Sequence, residues 1–153
     1  MEGEMGMLTN REDIEKQIRR IYEPNHFMRD YFHIHIDEIG CGTATVSLKT
    51  SRAKHTNHRG VIHGGVLAAL ADSVTGVTSA TVGAVVVTVS MTMNFIRNTA
   101  AGNTISVTGH IIHNGHATIV IAATMTDEDG KRMAEILATM MVVDRIPGIP
   151  RTW

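Results

Sequence analysis

The stretch Gly60-Val61-Ile62-His63-Gly64-Gly65-Val66-Leu67-Ala68-Ala69-Leu70-Ala71-Asp72 decides the fold. Beyond its paired glycines, Leu67, Leu70, Val74 and Val77 recur at i, i+3, i+7 and i+10, the spacing of one helical stripe. A helix is therefore predicted to begin near Gly64-Gly65. Its other side, with Ala68, Ala69, Asp72, Gly76 and Ser79 placed at about 100° per residue, is small rather than solvated. Such a helix has to be covered by the rest of the chain.

Upstream, Asn10 is placed to cap a helix whose apolar positions are Ile14, Ile18, Ile21 and Tyr22, with Glu12 and Asp13 in its first turn and Pro24 as its stop. Residues 32–39 alternate, with Ile34, Ile36 and Ile39 set against His33, His35 and Asp37. After Gly40-Cys41-Gly42, the run Ala44, Val46, Leu48 alternates against Thr43, Thr45, Ser47, which reads as a hairpin turning at the glycines. Ser51 to Gly60 is polar, basic and histidine-bearing, and reads as a loop. Downstream of Gly83, strands are predicted over 85–97, over 103–113 and 117–126 around an Asn114-Gly115 hairpin signal, and over 132–143 after Asp129-Gly130; in chain order they make a four-stranded meander. The tail, Asp144 to Trp153, is expected to lie as an extended peptide on the body or on a neighbour. The element order gives an α+β layout, a mostly antiparallel sheet wrapped around one long central helix, with an N-terminal helix in front. The chain divides into an N-terminal helical segment (1–31), a main domain (32–143) and a C-terminal tail (144–153).

At 153 residues the chain makes one domain of ordinary size. A net charge of 14 − 15 = −1 leaves no electrostatic footprint for nucleic acid or anionic lipid. Charged residues amount to 19%, below the usual quarter or so, which predicts that part of the surface is covered by another subunit. No apolar run approaches the roughly 18 residues that cross a bilayer. The start, Met1-Glu2-Gly3-Glu4, is acidic where a secretory signal is basic, so a soluble cytoplasmic protein is expected. The single cysteine, Cys41, supplies neither an intrachain disulfide nor a multi-thiolate metal site.

Between Arg59 and Arg97 one residue alone belongs to the set Asp, Glu, Lys and Arg, and that residue is Asp72, in the least polar helix. An unpaired carboxylate removed from water costs several kcal/mol, so it must be hydrogen-bonded, protonated or functional. Two readings stand. In one, Asp72 bonds Ser73 or Thr75 and the local backbone, or sits at an oligomer seam with water. In the other it is a catalytic acid. Upstream, Gly64-Gly65 frees backbone N–H groups at a positive helix end, while His63 and Asn57 add a proton donor and an amide, the parts needed to polarise a carbonyl.

Asn57-x-x-Gly60-x-x-His63-Gly64-Gly65, Asp72 on the helix behind it, Asn94-Phe95-Ile96-Arg97 and Asp129-Gly130-Lys131 together resemble the hotdog-fold acyl-CoA thioesterases of the phenylacetic-acid-degradation (PaaI) type, over roughly residues 32–143. The resemblance implies an active site at a dimer interface, with Asp72 of one subunit facing Asn57, His63 and Gly64 of the other. It implies that the Gly64 N–H, helped by Asn57, binds the thioester carbonyl oxygen, that Asp72 is general base or nucleophile, and that His63 orients the site or assists the leaving thiolate. A hydroxyl on the strand after the helix positions the water, Thr88 before Ser90. Substrate contacts fall on Gly65, Arg97, Asn98, His113 and Gly115. The implied substrate is a small aryl or medium-chain acyl-CoA, with coenzyme A as part of the substrate, no other cofactor and no metal, in a homodimer or homotetramer. The sequence departs from the family's pattern at Asn98-Thr99-Ala100, which lacks a proline many relatives carry, and at His113-Asn114-Gly115-His116, where a lysine or arginine is usual.

Other readings are weaker. His33 and His35, or His110, His113 and His116, evoke a metal site but lack clustered acids or thiols. Cys41 lies in no recognisable catalytic pattern, and no Gly-x-Ser-x-Gly elbow occurs. Met91, Met93, Met125, Met133, Met140 and Met141 read as core filling or as the lining of an adaptable acyl tunnel. The rival functions are a hotdog enoyl-CoA hydratase, whose motif holds Asp and His closer together, and a non-catalytic acyl-CoA-binding protein.

Overall fold

The computed structural model describes residues 6–153, so the acidic start Met1-Glu2-Gly3-Glu4 lies outside the described residues. Helix α1 (Arg11–Tyr22) starts where the Asn10 side chain accepts the Glu12 N–H at 2.8 Å, and it buries Ile14 and Ile18. Ile21, expected on the same stripe, is exposed, while Tyr22 at the end of the stripe packs half-buried on the core. A single π-helical turn, Phe27–Phe32, follows without a sequence signal and ends at His33, whose φ of 56° is left-handed.

Strands β1 (Ile34–Gly40) and β2 (Thr43–Lys49) form the expected hairpin. Ile36 and Ile39, three residues apart, belong on opposite faces of a regular strand; a register shift between Ile36 and Glu38 returns Ile39 to the core. The segment read as a loop contains a one-turn helix, α2 (Arg52–His55), too short to leave a periodicity. It is closed reciprocally: Ser51 Oγ accepts the Lys54 N–H at 3.3 Å, and the Ser51 N–H donates to His55 Nδ1 at 2.8 Å. Helix α3 (Gly64–Ala80) begins at the glycines and buries Leu67, Leu70, Val74 and Val77. Ser79, placed by the pattern on the small face, is buried too.

Strands β3 (Ala84–Phe95), β4 (Thr104–Asn114), β5 (Thr118–Thr126) and β6 (Arg132–Arg145) complete one six-stranded antiparallel sheet in the order β1-β2-β4-β5-β6-β3. The four-stranded meander is thereby corrected: β4, β5 and β6 make a meander, and β3 pairs with β6 at the far edge. The reason lies in α3, which packs against β2, β3, β4, β5 and β6 and carries the chain across the sheet before β3 begins. Met125, Met133 and Met140 are core residues, Met91 and Met93 pack on the core half-buried, and Met141 is exposed. The Asn114-Gly115 pair is no two-residue turn. Gly115 is required by space, because a Cβ there would lie 2.6 Å from His113 Nε2 and 2.7 Å from the Thr118 carbonyl oxygen. The tail lies on its own chain, with Ile146 and Ile149 buried and the Trp153 indole N–H donating to the Thr81 carbonyl at 2.6 Å. Among the described residues no helix is long and apolar enough to cross a membrane.

Candidate active site

Strand β3 runs back along α3 and meets it at three levels. Thr88 Oγ1 donates to Asp72 Oδ1 at 2.7 Å. Further along, the Phe95 ring faces Gly64, where a Cβ would stand 3.7 Å from it. Past the strand, Asn98 Nδ2 donates to the Ile62 carbonyl at 2.8 Å.

The Asp72 side chain is exposed in the chain by itself, and its second oxygen has no partner among the described residues. The local alternative does not use it. Ser73 Oγ donates to the Ala69 carbonyl at 2.8 Å, and Thr75 Oγ1 donates to the backbone carbonyl of Asp72 at 2.7 Å. Thr88, and not Ser90, reaches the carboxylate, and the register against β6 shifts between these two residues.

At the start of α3, His63 is the N-cap, and its Nδ1 accepts the Gly65 N–H at 2.8 Å. An accepting Nδ1 puts the proton of the neutral ring on Nε2, so His63 presents a donor. The Gly65 N–H is thereby engaged in the cap and is not a free donor. The Gly64 N–H makes no hydrogen bond among the described residues. Asn57 Oδ1 accepts the Arg59 N–H at 2.9 Å and the Val61 N–H at 3.2 Å, so its oxygen builds the turn while its Nδ2 keeps its donors free. The turn is held against the helix start by the His63 N–H, which donates to the His55 carbonyl at 2.8 Å, and by the Thr56–Ile62 bridge. Asn57 Nδ2, His63 Nε2 and the Gly64 N–H are thus donors without an acceptor among the described residues.

Gly64 and Asp72 do not meet within one chain. They lie eight positions apart on α3, roughly 12 Å along the axis at 1.5 Å per residue. The remaining expected contacts divide. Arg97 lies exposed beside the helix start, and the Asn98 amide has a bond at each end within the fold, Nδ2 on Ile62 and Oδ1 on the Thr99 N–H. His113 and Gly115 sit at the other end of α3. Their strand approaches Thr78 at Gly109 and Thr81 through Gly42, and the Arg151 guanidinium pins the turn through the Asn114 and Gly115 carbonyls. Within one chain they are no part of the site at Gly64.

The sequence reading did not foresee a cavity of about 500 Å³ beside the helix start, lined by Tyr31, Phe32, Lys54, His55, His63 and Val66 among others. Its aromatic wall comes from the unsignalled π-helical turn, whose Phe32 stacks on the His55 ring at 6.2 Å. Burial, then the charges of Lys54 and His33, hold the His55 imidazole below its ordinary value. Asp30, also at this cavity, is held well below the usual carboxylate range by hydrogen bonds from Arg29 and then His26. Among the described residues no three His, Cys, Asp or Glu side chains group to hold a metal ion.

Residues 59–134, which include Gly64, Asp72 and Thr88, match the model of the thioesterase superfamily. The chain carries a domain of that superfamily, in the hotdog fold shared with PaaI-type thioesterases. Its fold is that of the PaaI protein from the phenylacetic acid degradation operon of Escherichia coli, with a TM-score of 0.82 at 22% identity over 88% of this chain and 96% of that one. The smu.793 protein of Streptococcus mutans UA159, solved bound to acetyl CoA, matches with a TM-score of 0.71 at 26% identity over 74% of this chain and 90% of that one. A hypothetical thioesterase of Streptococcus pneumoniae TIGR4, solved with coenzyme A, matches with a TM-score of 0.71 at 24% identity over 74% and 90%. Two further structures of it carry alanine in place of an aspartate and of a threonine sixteen positions apart. A sequence search of curated proteins finds no match.

Proposed function

We propose that this protein is an acyl-CoA thioesterase that hydrolyses a small aryl or medium-chain acyl-CoA to the free acid and coenzyme A. Asp72 takes a proton from water as the water oxygen attacks the thioester carbon. The resulting oxyanion is held by the Gly64 N–H and Asn57 Nδ2, and its collapse expels the coenzyme A thiolate, to which the His63 Nε2–H donates. A direct attack by the carboxylate, giving an anhydride that water then opens, uses the same residues.

The observation that carries this reading is the Thr88–Asp72 hydrogen bond of 2.7 Å, which fixes one carboxylate oxygen and leaves the other open. Asp72 and Thr88 are sixteen positions apart, the interval between the residues replaced in the pneumococcal relative, which supports treating them as one unit. The roughly 12 Å between Asp72 and Gly64 favours a site shared by two copies of the chain. An unpaired β3 edge bearing exposed Val85, Val87 and Val89 is suited to such pairing, in a dimer or a pair of dimers. The reaction as written uses no cofactor beyond the coenzyme A of the substrate.

Thiol release from a panel of aryl and alkyl acyl-CoA esters, with the wild type and Asp72→Asn side by side, is the test. Turnover by the wild type that falls about 10²–10⁴-fold in the variant is the expected result. Release that is equal in the two removes Asp72 from the mechanism. Saturable binding with no release favours a binding protein, and water addition to an enoyl ester favours a hydratase.

A further inference from the structure

From Cys41 to Ala71 the chain holds Lys49, Arg52, Lys54 and Arg59 and no carboxylate, and from Ser73 to Thr126 Arg97 is its one Asp, Glu, Lys or Arg. The fold gathers four of these cations at the start of α3. The Arg52 guanidinium lies over Gly60, where a Cβ would stand 3.2 Å from it, and so beside Arg59, whose backbone the Asn57 turn fixes. Lys54 lines the cavity with His63 and Val66. Arg97 follows Phe95, the ring facing Gly64, and precedes Asn98, tied to Ile62.

None of these four cations is in an ion pair among the described residues. The carboxylate lining the cavity, Asp30, is occupied by Arg29 at 2.7 and 3.0 Å and by His26. Scattered surface cations are ordinarily solvated and contribute little. Here they lie together, without counter-charge, beside the positive end of a 17-residue helix, so they repel one another and create a local positive potential in a chain whose net charge is −1.

We propose that Arg52, Lys54 and Arg59 bind the phosphate groups of a coenzyme A thioester whose carbonyl lies at Gly64. The assignment rests on the thioesterase reading for its substrate, and it moves phosphate recognition to the α2 loop from the His113–Gly115 turn, where the Arg151 guanidinium is committed to backbone carbonyls. The phosphates complete the charge pairing that the protein leaves open.

The test compares one acyl group carried on coenzyme A and on N-acetylcysteamine, a thiol without phosphates. In the double variant Lys54→Glu/Arg59→Glu, the ratio of kcat/KM for the acyl-CoA to that for the acyl-N-acetylcysteamine is expected to fall about tenfold or more, and the rise of the acyl-CoA KM with salt to flatten. Arg20→Glu/Lys131→Glu, the same change of net charge placed elsewhere, is the control and leaves the ratio within twofold. A ratio that holds within twofold in the loop variant, or falls equally in the control, overturns the proposal. So does a change of assembly state in the loop variant by light scattering, which would make the cations an interface between copies. If no thioester is hydrolysed, calorimetric titration with coenzyme A decides separately. Binding that weakens about tenfold in the loop variant upholds the phosphate site while the hydrolytic reading fails, and no binding by the wild type overturns the site.

Discussion

At the scale of the residue, the central relation is between Asp72 and Thr88. A hydrogen bond to a charged group contributes about 1.5–3 kcal/mol, and about 1.4 kcal/mol is a factor of ten in rate. Thr88→Val is therefore expected to lower kcat by about 10- to 100-fold with little change in KM, while Ser90→Ala, which makes no bond to the acid, stays within twofold of wild type. Steady-state kinetics on one acyl-CoA ester check both. His55 gives a prediction about pH. Its ring is held below its ordinary value chiefly by burial, and its Nδ1 accepts the Ser51 N–H, a bond that requires an unprotonated Nδ1. The unfolded chain takes up the proton more readily, so this stability is complete above the unfolded value of about 6.5 and is lost as pH falls through the lowered folded-state value. The urea midpoint is expected to drop between pH 7.5 and pH 5, and to drop less in His55→Gln; equal slopes would refute the assignment. Asp72 stood out in the sequence because no other charge lies near it, and its choice of Thr88 over Ser73 or Thr75 required the strand beside the helix.

At the scale of the element, α3 depends on His63 as a cap. His63→Ala is expected to destabilise the fold by about 1 kcal/mol, and His63→Asn, an effective capping residue, to restore that stability without restoring the imidazole proton. Urea denaturation and turnover measured on both variants separate the cap from the chemistry. The same helix is held close to β4 at Gly109, where a Cβ would lie 2.6 Å from Thr78 Oγ1. Both residues are buried, so Gly109→Ala is expected to cost about 1–3 kcal/mol by overpacking, read as a lower urea midpoint. Helix α3, the β1–β2 hairpin and the last three strands were legible because each repeats a pattern for seven residues or more. The four-residue α2 and the π-helical turn offered no repeat to read, and they supply the cavity wall and two of the cations.

At the scale of the whole molecule, the separation of Gly64 from Asp72 makes assembly a condition of activity in the proposed function. Co-expressed Asp72→Asn and Asn57→Ala chains are each defective alone. In a mixed dimer one of the two shared sites combines the intact Asp72 with the intact Asn57. Random pairing therefore returns about a quarter of wild-type sites, against none if each site lies within one chain. Charges on the free strand edge, as in Val87→Lys/Val89→Lys, are expected to leave the far-ultraviolet circular dichroism unchanged, dissociate the assembly in light scattering and abolish turnover together.

Sequence alone determined the central helix, the β1–β2, β4–β5 and β5–β6 pairs and the isolated carboxylate, because hydrophobic period and charge are local properties written residue by residue. Tertiary structure decided the place of β3 beside β6, the partner of Asp72, the occupation of the Gly65 N–H and the Asn98 amide, and the removal of His113 and Gly115 to the far end of α3. Each of these depends on which distant segments α3 brings into contact when it packs across the sheet, and no local pattern encodes that packing.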